Sequence, residues 1–593
     1  MIRIDEEYLR HVVERLESFR SHPLGFRVAG TLEERAAAEF AAAELRAAGL
    51  SQVALEPVPV DAWRLEDAFV ELADGTRFEC ASLGGVPETP PEGVSGDLVR
   101  VWRGGRRQLD RLDVAGKVAL VDWEVQRLWP YHVGLELGLR GAVAMIVTSP
   151  PGGPYYQAPG ALGTFDGQWH AQGPPCVTIR KEDAAQLADG RVRVVLSAPL
   201  VEGAEAANVV GILPGRRPGP PSIVAGHHDG WFGAAFDDAT GVAVTLELAR
   251  AFGEAGIRPE RSIAFVSHTA EEYGLANSPY DWCYGAWYQI VAEHPEWSTG
   301  SSFYLNVEGS GRPAPFTVDA PPELAGWARS LCRRAEREGL LPHGFRLAAP
   351  STWTEVWPFL AAGVPGINVS TFTSDFDRTE YHTQYDTSDR VDFGYLARLT
   401  RVCAELLLEG ATVPLDFAAR ARDLDGVLPP EALEDLAAAR ERARFTAVGR
   451  GLHGLDARET ARYPHEQTAR DVANLERGLE GDTAALARVG LNWLCSDLSH
   501  EAFAIERSRR GRNAPRACWA ALGDPDIGPD LWEELASLRG EPGSREPGPW
   551  LEESLKGHLE ASRAELERRL ERMAAAARGR IVPLPRAAAL RHY

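Results

Sequence analysis

Short apolar runs alternate with longer helix-like runs between residues 206 and 412. The strand-like runs are SIVAG, SIAFVS, SFYLNV and GINVS, and the helix-like runs are VAVTLELARAF and GYLARLTRVCAELLLEGA. Strands and helices that alternate along a chain form a sheet covered by helices. This stretch therefore predicts an α/β domain with a mainly parallel central sheet and flanking helices.

The rest of the chain divides into three stretches. Residues 1–59 contain an Ala-rich helical run that stops at Gly49 and an extended run after it, and we assign them to the same α/β domain. Residues 60–205 consist of short apolar runs separated by Gly and Pro, which predict an inserted, β-rich domain. Residues 413–593 are predicted to be an α-helical domain, whose apolar face at 551–573 suits either a bundle core or an association surface. A chain of 593 residues is long enough for several such cores.

Charge and composition exclude several function classes. The formal net charge of −22 argues against broad binding to nucleic acid or to anionic membranes. No apolar run of about 18 residues is present, so no membrane span is predicted. The N-terminus is charged and amphipathic, unlike a signal peptide, and the seven cysteines are scattered without a CxxC pair. We therefore expect a cytoplasmic protein with reduced thiols and no thiolate-bound metal.

Ionisable side chains follow four of the predicted strands. In open α/β sheets, binding sites form beyond the carboxyl ends of the strands. His227, His228 and Asp229 follow the first strand, HTAEE follows the second, Glu308 follows the third, and Tyr381 and His382 lie in the loop after the fourth. Each residue alone is also typical of an ordinary surface or core position. Together, four strand ends bring such groups to one edge of one sheet.

The residue types at this edge suit a pair of metal ions. Divalent cations are bound by imidazole nitrogen and carboxylate oxygen without any need for sulfur. Two histidines and three carboxylates can hold two metals about 3.5–4 Å apart that share a carboxylate. A further carboxylate is needed to take the proton from the attacking water. The adjacent Glu271 and Glu272 can divide these tasks, one as base and the other as ligand.

The spacing of these residues resembles a known family. The segment GHHDGWFGAAFDDATGVAVTLELARAF resembles the metal-binding core of the aminopeptidase and glutamate carboxypeptidase-like zinc peptidases, in which His-x-Asp is followed about ten residues later by Asp before a helix. AEEYG matches the family's Glu-Glu-x-Gly, and YHTQYDT matches the segment of its last metal histidine. Asn306-Val307-Glu308 approximates its Asn-x-Asp. The resemblance covers about residues 10–410.

The resemblance implies a role for each residue. The two metal ions, expected to be Zn²⁺, would be bound by His227 and Glu308 on one side and by Glu272 and His382 on the other, with Asp237 as the bridge. Glu271 would be the general base, Asp229 would orient the imidazole of His227, and Tyr381 would hydrogen-bond the oxyanion. A cis peptide bond between Asp237 and Asp238 is also implied.

Two positions leave alternatives open. Glu308 stands where the family more often has aspartate, so the second metal would be held more weakly or displaced. His228 lies between His227 and Asp229 and could exchange roles with His227. Neighbouring side chains on a strand point to opposite sides, which favours His227 with Asp229.

The resemblance extends to the other domains and to the function. Residues 60–205 resemble the protease-associated insert of the carboxypeptidase-like and transferrin-receptor-like branch, and the helical tail resembles its dimerisation domain, which implies a homodimer. We expect an exopeptidase acting on small peptides, of the aminopeptidase type. The alternatives are a glutamate carboxypeptidase-like enzyme, a receptor-like binding protein that has lost activity, and a glutaminyl cyclase with one zinc.

The substrate pocket is expected near STWTEVWPFLAAGVPG. Trp353, Thr354, Glu355 and Trp357 are its candidate lining residues. Glu355 could hold a free amino group of the substrate, or it could be a surface or supporting carboxylate. Recognition of a terminal carboxylate would instead need an arginine or lysine, and none can be assigned from the sequence.

Overall fold

The structure is a computed structural model of the chain. It describes residues 2–50, 52–101, 109, 111–122, 133–134, 137–138, 140–148, 158–165, 173–187, 190–275, 283–348, 350, 354–362, 364–416, 419, 548–550 and 553. Nearly all of the predicted helical domain at 413–593, and Trp353, lie outside these residues. None of the helices in the described part of the chain is long and apolar enough to cross a lipid bilayer.

The elements follow one another in the order that the sequence pattern indicates. The strands are β1 (Gln52–Trp63), β2 (Asp67–Leu72), β3 (Arg77–Ser82), β4 (Val94–Arg100), β5 (Val118–Asp122), β6 (Ala144–Thr148), β7 (Cys176–Ile179), β8 (Arg191–Ser197), β9 (Leu200–Leu213), β10 (Arg217–His227), β11 (Arg261–His268), β12 (Tyr304–Val307), β13 (Phe316–Asp319), β14 (Phe345–Ala348) and β15 (Gly366–Ser370). The helices are α1 (Glu6–Glu17), α2 (Leu32–Ala47), α3 (Lys181–Ala184), α4 (Thr240–Glu254), α5 (Tyr284–Tyr288), α6 (Trp297–Gly300), α7 (Pro322–Arg337), α8 (Val356–Ala361), α9 (Ser374–Thr379) and α10 (Phe393–Gly410).

The N-terminal helices form because capping and apolar spacing agree. Asp5 caps α1 by accepting hydrogen bonds from the amides of Glu7 and Tyr8, and Thr31 caps α2. The buried face of α1 consists of Leu9, Val12, Val13 and Leu16, which recur at helical spacing. α2 buries alanines, which allow it to approach β1 and β9 closely. The 12-residue strand β1 then begins the sheet.

Eight strands form one sheet in the order β1-β9-β11-β10-β12-β15-β13-β14. β10, β11, β12 and β15 are parallel to one another, and their apolar residues are buried because helices cover both faces. β9 is antiparallel to both β1 and β11, and β13 is antiparallel to β15. The sheet is thus mixed, with the predicted parallel order at its centre and antiparallel pairs on either side.

The stretch between β1 and β9 forms a separate closed barrel, with strand order β2-β3-β7-β6-β5-β4-β8. It leaves and rejoins the main sheet at adjacent points, because β1 and β9 are paired and Trp63 lies opposite Leu200. Its core also includes Phe26, Trp231 and Tyr273 from the main domain. The barrel is therefore packed directly against the loops that follow β10 and β11.

Candidate metal centre

The four predicted strand ends meet at one edge of the sheet. β10 ends at His227, β11 ends at His268 just before Glu271 and Glu272, and β12 ends immediately before Glu308. These strands are parallel neighbours, so their carboxyl ends lie side by side. The loop after β15 returns to the same edge and brings His382 to it.

Two groups of ligand atoms share Asp237. In the first group, Nε2 of His227 lies 3.5 Å from Asp237 Oδ1 and 3.3 Å from Glu308 Oε1. In the second, Nε2 of His382 lies 3.6 Å from Asp237 Oδ2 and 2.9 Å from Glu272 Oε2. The two oxygens of Asp237 thus face the two histidines separately. The Asp237–Asp238 peptide bond is cis, as the resemblance implies.

These groups fit divalent cations. In each group, one imidazole nitrogen and two carboxylate oxygens lie within 4.8 Å of one another, and all five residues are buried. Among the described residues, neither Nε2 of His227 nor Nε2 of His382 has a hydrogen-bond partner, although each faces carboxylates. Buried nitrogen atoms ordinarily have hydrogen-bond partners, whereas metal ligands direct this atom at the cation. His227, Asp237 and Glu308 in the first group, and Asp237, Glu272 and His382 in the second, are the residues that would hold a cation.

Glu271 lies beside the first group. Its Oε2 is 3.9 Å from His227 Nε2, and its Oε1 accepts a hydrogen bond from the thiol of Cys283, with Sγ and Oε1 3.2 Å apart. Burial raises the pKa of Glu271 well above its usual range, although the nearby His227 opposes the shift. A carboxylate with raised proton affinity, adjacent to a metal-binding group, suits a general base.

Asp229 holds the backbone of the two glutamates. Its two carboxylate oxygens accept hydrogen bonds from the amides of Glu271 and Glu272, at 3.2 and 3.0 Å. Its contact with the imidazole of His227 is longer, with Oδ1 3.6 Å from Nδ1, and its backbone oxygen lies 3.3 Å from the same nitrogen. Asp229 therefore links the end of β10 to the residues that follow β11.

His228 and Tyr381 occupy different surroundings. The imidazole of His228 points away from the carboxylate cluster and pairs with Ser267 Oγ at 2.9 Å and Glu34 Oε1 at 3.0 Å. This geometry favours His227 over His228 as the ligand. The ring of Tyr381 stacks on that of His382, with the ring centroids 3.8 Å apart. Its role in oxyanion binding stays a prediction.

The electrostatics of the two histidines differ. Burial lowers the pKa of His227, but the carboxylates of Glu271, Asp229, Asp237 and Glu308 outweigh burial and raise the pKa well above its usual value. Burial dominates for His382 and lowers its pKa to about 3. Burial also raises the pKa of Glu308. The cluster carries more buried negative charge than its histidines can balance, which a bound cation would relieve.

Several supporting residues were missed by the sequence reasoning. Asp386 accepts hydrogen bonds from the amides of Phe236 and Asp237, and Asp238 accepts from the amides of His227 and Gly241. Asn306 donates to Glu308 Oε2 at 2.9 Å, which leaves Oε1 directed at His227. Asp386 lies in the segment YHTQYDT, Asp238 lies next to Asp237 in the first metal-binding segment, and Asn306 belongs to the Asn-x-Asp match. The sequence therefore contained a signal for each of these supporting residues.

Arg27 is a supporting residue that no motif in the neighbouring sequence indicates. It is fully buried, and its guanidinium donates hydrogen bonds to the backbone oxygens of Leu16, His228, Gly233 and Ala234. The last three oxygens belong to the loop between His227 and Asp237. Arg27 therefore holds the backbone that joins two of the candidate ligands, from a position 200 residues earlier in the chain.

The expected pocket residues are buried beside the cluster. Thr354, Glu355 and Trp357 are all buried, and Glu355 is fully buried, so it is not a surface carboxylate. An oxygen of Glu355 lies within 4.8 Å of ligand atoms of Glu271 and Glu308. Burial raises the pKa of Glu355 to about 8, and the charge of Glu308 adds to this.

The central part of the chain matches a known family. Residues 208–407 match peptidase family M28. Carboxypeptidase Q of Bos taurus is 27% identical over 277 residues, which are 43% of this chain and 57% of the relative. A probable glutamate carboxypeptidase of Arthroderma benhamiae is 32% identical over 166 residues, which are 27% of this chain and 21% of the relative. The chain thus spans about half of the first relative and a fifth of the second.

The fold agrees with solved structures. A zinc aminopeptidase from Bacillus subtilis superposes with a TM-score of 0.56 and 19% identity, and the match covers 69% of this chain and 96% of that one. At this identity the similarity concerns the fold alone. Together with the family match, it confirms the predicted resemblance to the zinc aminopeptidase and glutamate carboxypeptidase-like peptidases and the α/β fold of the main domain.

Proposed function

We propose that this chain, whose residues 208–407 match peptidase family M28, is a zinc exopeptidase that uses two metal ions to hydrolyse small peptides. The observation that carries the proposal is the position of Asp237 between two ligand groups, one with His227 and Glu308 and one with Glu272 and His382. A carboxylate shared by two such groups is what a pair of metals with a bridging ligand requires.

The residues of the chain would divide the catalytic tasks. Two bound cations would polarise the scissile carbonyl and lower the pKa of the attacking water. Glu271 takes the proton of that water on Oε2 and passes it to the leaving amine, while Cys283 holds Oε1. Asp229 fixes the backbone of Glu271, so the carboxylate stays directed at the first metal group. Tyr381 donates a hydrogen bond to the oxyanion.

Glu355 supports a preference for substrates with a free amino terminus. Its carboxylate lies with those of Glu271 and Glu308, so three buried acids converge at one place. Neither oxygen of Glu355 has a hydrogen-bond partner among the described residues, and the side chain is fully buried. A substrate ammonium group would supply the missing positive charge and donors. This favours the aminopeptidase type over the carboxypeptidase type.

Metal content and end specificity test the proposal together. We expect about two zinc ions per chain and hydrolysis of dipeptides and amino-acid amides that have a free amino group. Cleavage of only amine-blocked substrates would favour a glutamate carboxypeptidase-like enzyme. One zinc per chain without hydrolysis would favour a glutaminyl cyclase, and protein that binds no stoichiometric zinc would favour a receptor-like binding protein.

The remaining parts of the chain belong to the same proposal. The barrel at Asp67–Ser197 would be a protease-associated-like domain, which its closed β structure and its position between β1 and β9 support. A homodimer formed through the C-terminal helical domain is supported by the helical sequence pattern at 413–593, and a cytoplasmic location is supported by the seven scattered cysteines. A gel-filtration mass of two chains would agree with the dimer, and a mass of one chain would contradict it without affecting the chemistry.

A further inference from the structure

A segment of the barrel lies along the loop that carries His382. We call residues 158–165 the wall segment and residues 380–387 the His382 loop. The wall segment lies between β6 and β7 of the barrel, whereas the His382 loop follows α9 of the main domain. Gly163 forms an isolated antiparallel bridge with Thr383, so the two backbones run side by side.

The contacts between the two segments surround the ligand residue. The amide of Thr164 donates a hydrogen bond to the backbone oxygen of His382 at 2.9 Å. The side chain of Gln384 spans the junction, because its Oε1 accepts from the amide of Leu162 and its Nε2 donates to the oxygen of Gly160, both at 2.8 Å. Tyr385 donates its hydroxyl proton to the oxygen of Pro159 at 2.9 Å.

The conformation of His382 requires such support. Its φ is +51°, in the left-handed region that residues other than glycine adopt at a cost. The ring of Phe165 packs on the imidazole, with the centroids 5.5 Å apart. The wall segment therefore contacts the backbone oxygen and the ring of His382, as well as the three residues that follow it.

We propose that the wall segment is part of the metal centre, and that Gln384 is a positioning residue that couples the barrel to the zinc ion held by His382 and Glu272. The inference rests on the proposed function, since it concerns one of its two zinc ions. The other zinc, held by His227 and Glu308, takes these two ligands from the ends of β10 and β12. The wall segment hydrogen-bonds the loop of His382 directly, so it acts more strongly on the zinc of His382 and Glu272 than on the other.

Two substitutions perturb the junction from opposite sides. Gln384→Ala removes both hydrogen bonds of its amide from the loop side. Gly160→Ala acts from the barrel side, because a Cβ there would lie 2.9 Å from Oη of Tyr385 and because Gly160 has φ +74°. Neither residue is a ligand, so any change in zinc affinity must pass through the junction. Gln52→Ala, at an exposed glutamine of β1, is the matched control.

Zinc binding to the full-length protein is then titrated calorimetrically after removal of metal by a chelator. We expect wild type and Gln52→Ala to bind two zinc ions with the same two affinities. In Gln384→Ala and Gly160→Ala, the zinc affinity of one of the two binding steps should fall about tenfold. This is the loss that is typical when a group that orients a metal ligand is removed. Thermal unfolding of the metal-free variants checks that the fold is kept.

The outcomes separate this inference from the proposed function. If both folded variants bound their two zinc ions with wild-type affinities, the inference would be overturned and the proposed function would be left intact. Equal weakening of both steps would also overturn it, since it would indicate general damage to the site. Wild-type protein that takes up no zinc would contradict the proposed function and this inference together.

Discussion

The carboxylate of Asp386 holds the backbone of Asp237, the residue shared by the two metal-binding groups. Oδ2 of Asp386 accepts a hydrogen bond from the amide of Asp237 at 3.0 Å, and Oδ1 accepts from the amide of Phe236 at 2.8 Å. Asp386 belongs to the His382 loop. One short loop therefore carries one ligand and fixes the backbone of another.

Replacement of Asp386 by asparagine should weaken zinc binding. Asparagine has the same shape, but it can accept only one of the two amide hydrogen bonds and directs its own NH2 at the other. We expect zinc affinity to fall about 10- to 100-fold, as for other residues that orient metal ligands, with a matching loss of hydrolysis. Asp389→Asn, at an exposed position two residues after the His382 loop, is the control and should bind zinc as wild type does.

The adjacent glutamates should respond differently to amide substitution. Glu271→Gln should reduce turnover by about 10²- to 10⁴-fold, the usual contribution of a general base, while both zinc ions stay bound. Glu272→Gln should lose zinc, because Oε2 of Glu272 lies 2.9 Å from Nε2 of His382. Metal analysis and dipeptide hydrolysis are measured on the same preparations. Loss of zinc in Glu271→Gln with retention in Glu272→Gln would show that the two roles are reversed.

Arg27→Lys should destabilise the domain although the charge is kept. The guanidinium donates hydrogen bonds to four backbone oxygens, and a lysine ammonium group cannot reach all of them. Buried carbonyl groups would therefore lose their hydrogen-bond donors. We expect a loss of about 3 kcal/mol or more in the free energy of unfolding, seen as a lower melting temperature of the metal-free protein. Arg35→Lys should change the melting temperature little, because Arg35 makes an exposed pair with Glu39. Equal melting temperatures for the two variants would contradict this role of Arg27.

Asp319 should make the stability depend on pH. Burial raises its pKa to about 6, although a hydrogen bond from Asn368 opposes the shift. A carboxyl group with a raised pKa in the folded state does not affect stability below its unfolded pKa of about 4, and it destabilises fully above about pH 6. Asp319→Asn should therefore be more stable than wild type by about 2–3 kcal/mol at pH 7.5, and by less at pH 4.5.

Unfolding of the metal-free protein at the two pH values measures this difference. Asp113→Asn serves as the control, since the side chain of Asp113 is 76% exposed and should show no such dependence. A stability difference between Asp319→Asn and wild type that is the same at both pH values would contradict the role of burial at this position.

The central strands and the candidate ligands could be predicted from the sequence because each carries a local signal. β10, β11, β12 and β15 are short apolar runs, and each is followed by the residues that the structure brings together. The parallel order of these strands then places Nε2 of His227 3.3 Å from Oε1 of Glu308. Glu308, which departs from the family's aspartate, has its second oxygen held by Asn306.

Contacts between distant segments could not be predicted in the same way. Nothing near Arg27 in the sequence indicates that it contacts the loop after β10. The antiparallel pairing of β9 with β1 is hidden because more than a hundred residues separate the two strands. The hydrogen bonds of Gln384 to the barrel likewise depend on how two domains pack, and no periodicity or motif in either segment encodes this.

The pairing of Trp63 with Leu200 has a consequence for the history of this chain. Since the barrel begins and ends at neighbouring points of one strand pair, a tight turn could replace residues 64–199 without moving any strand of the main sheet. A smaller ancestral enzyme without the barrel would keep all five candidate metal ligands. It would, however, expose Trp231 and Tyr273, which the barrel buries. Acquiring the barrel would thus have enclosed a site whose ligands were already present, and it would have added the support that the wall segment gives to His382.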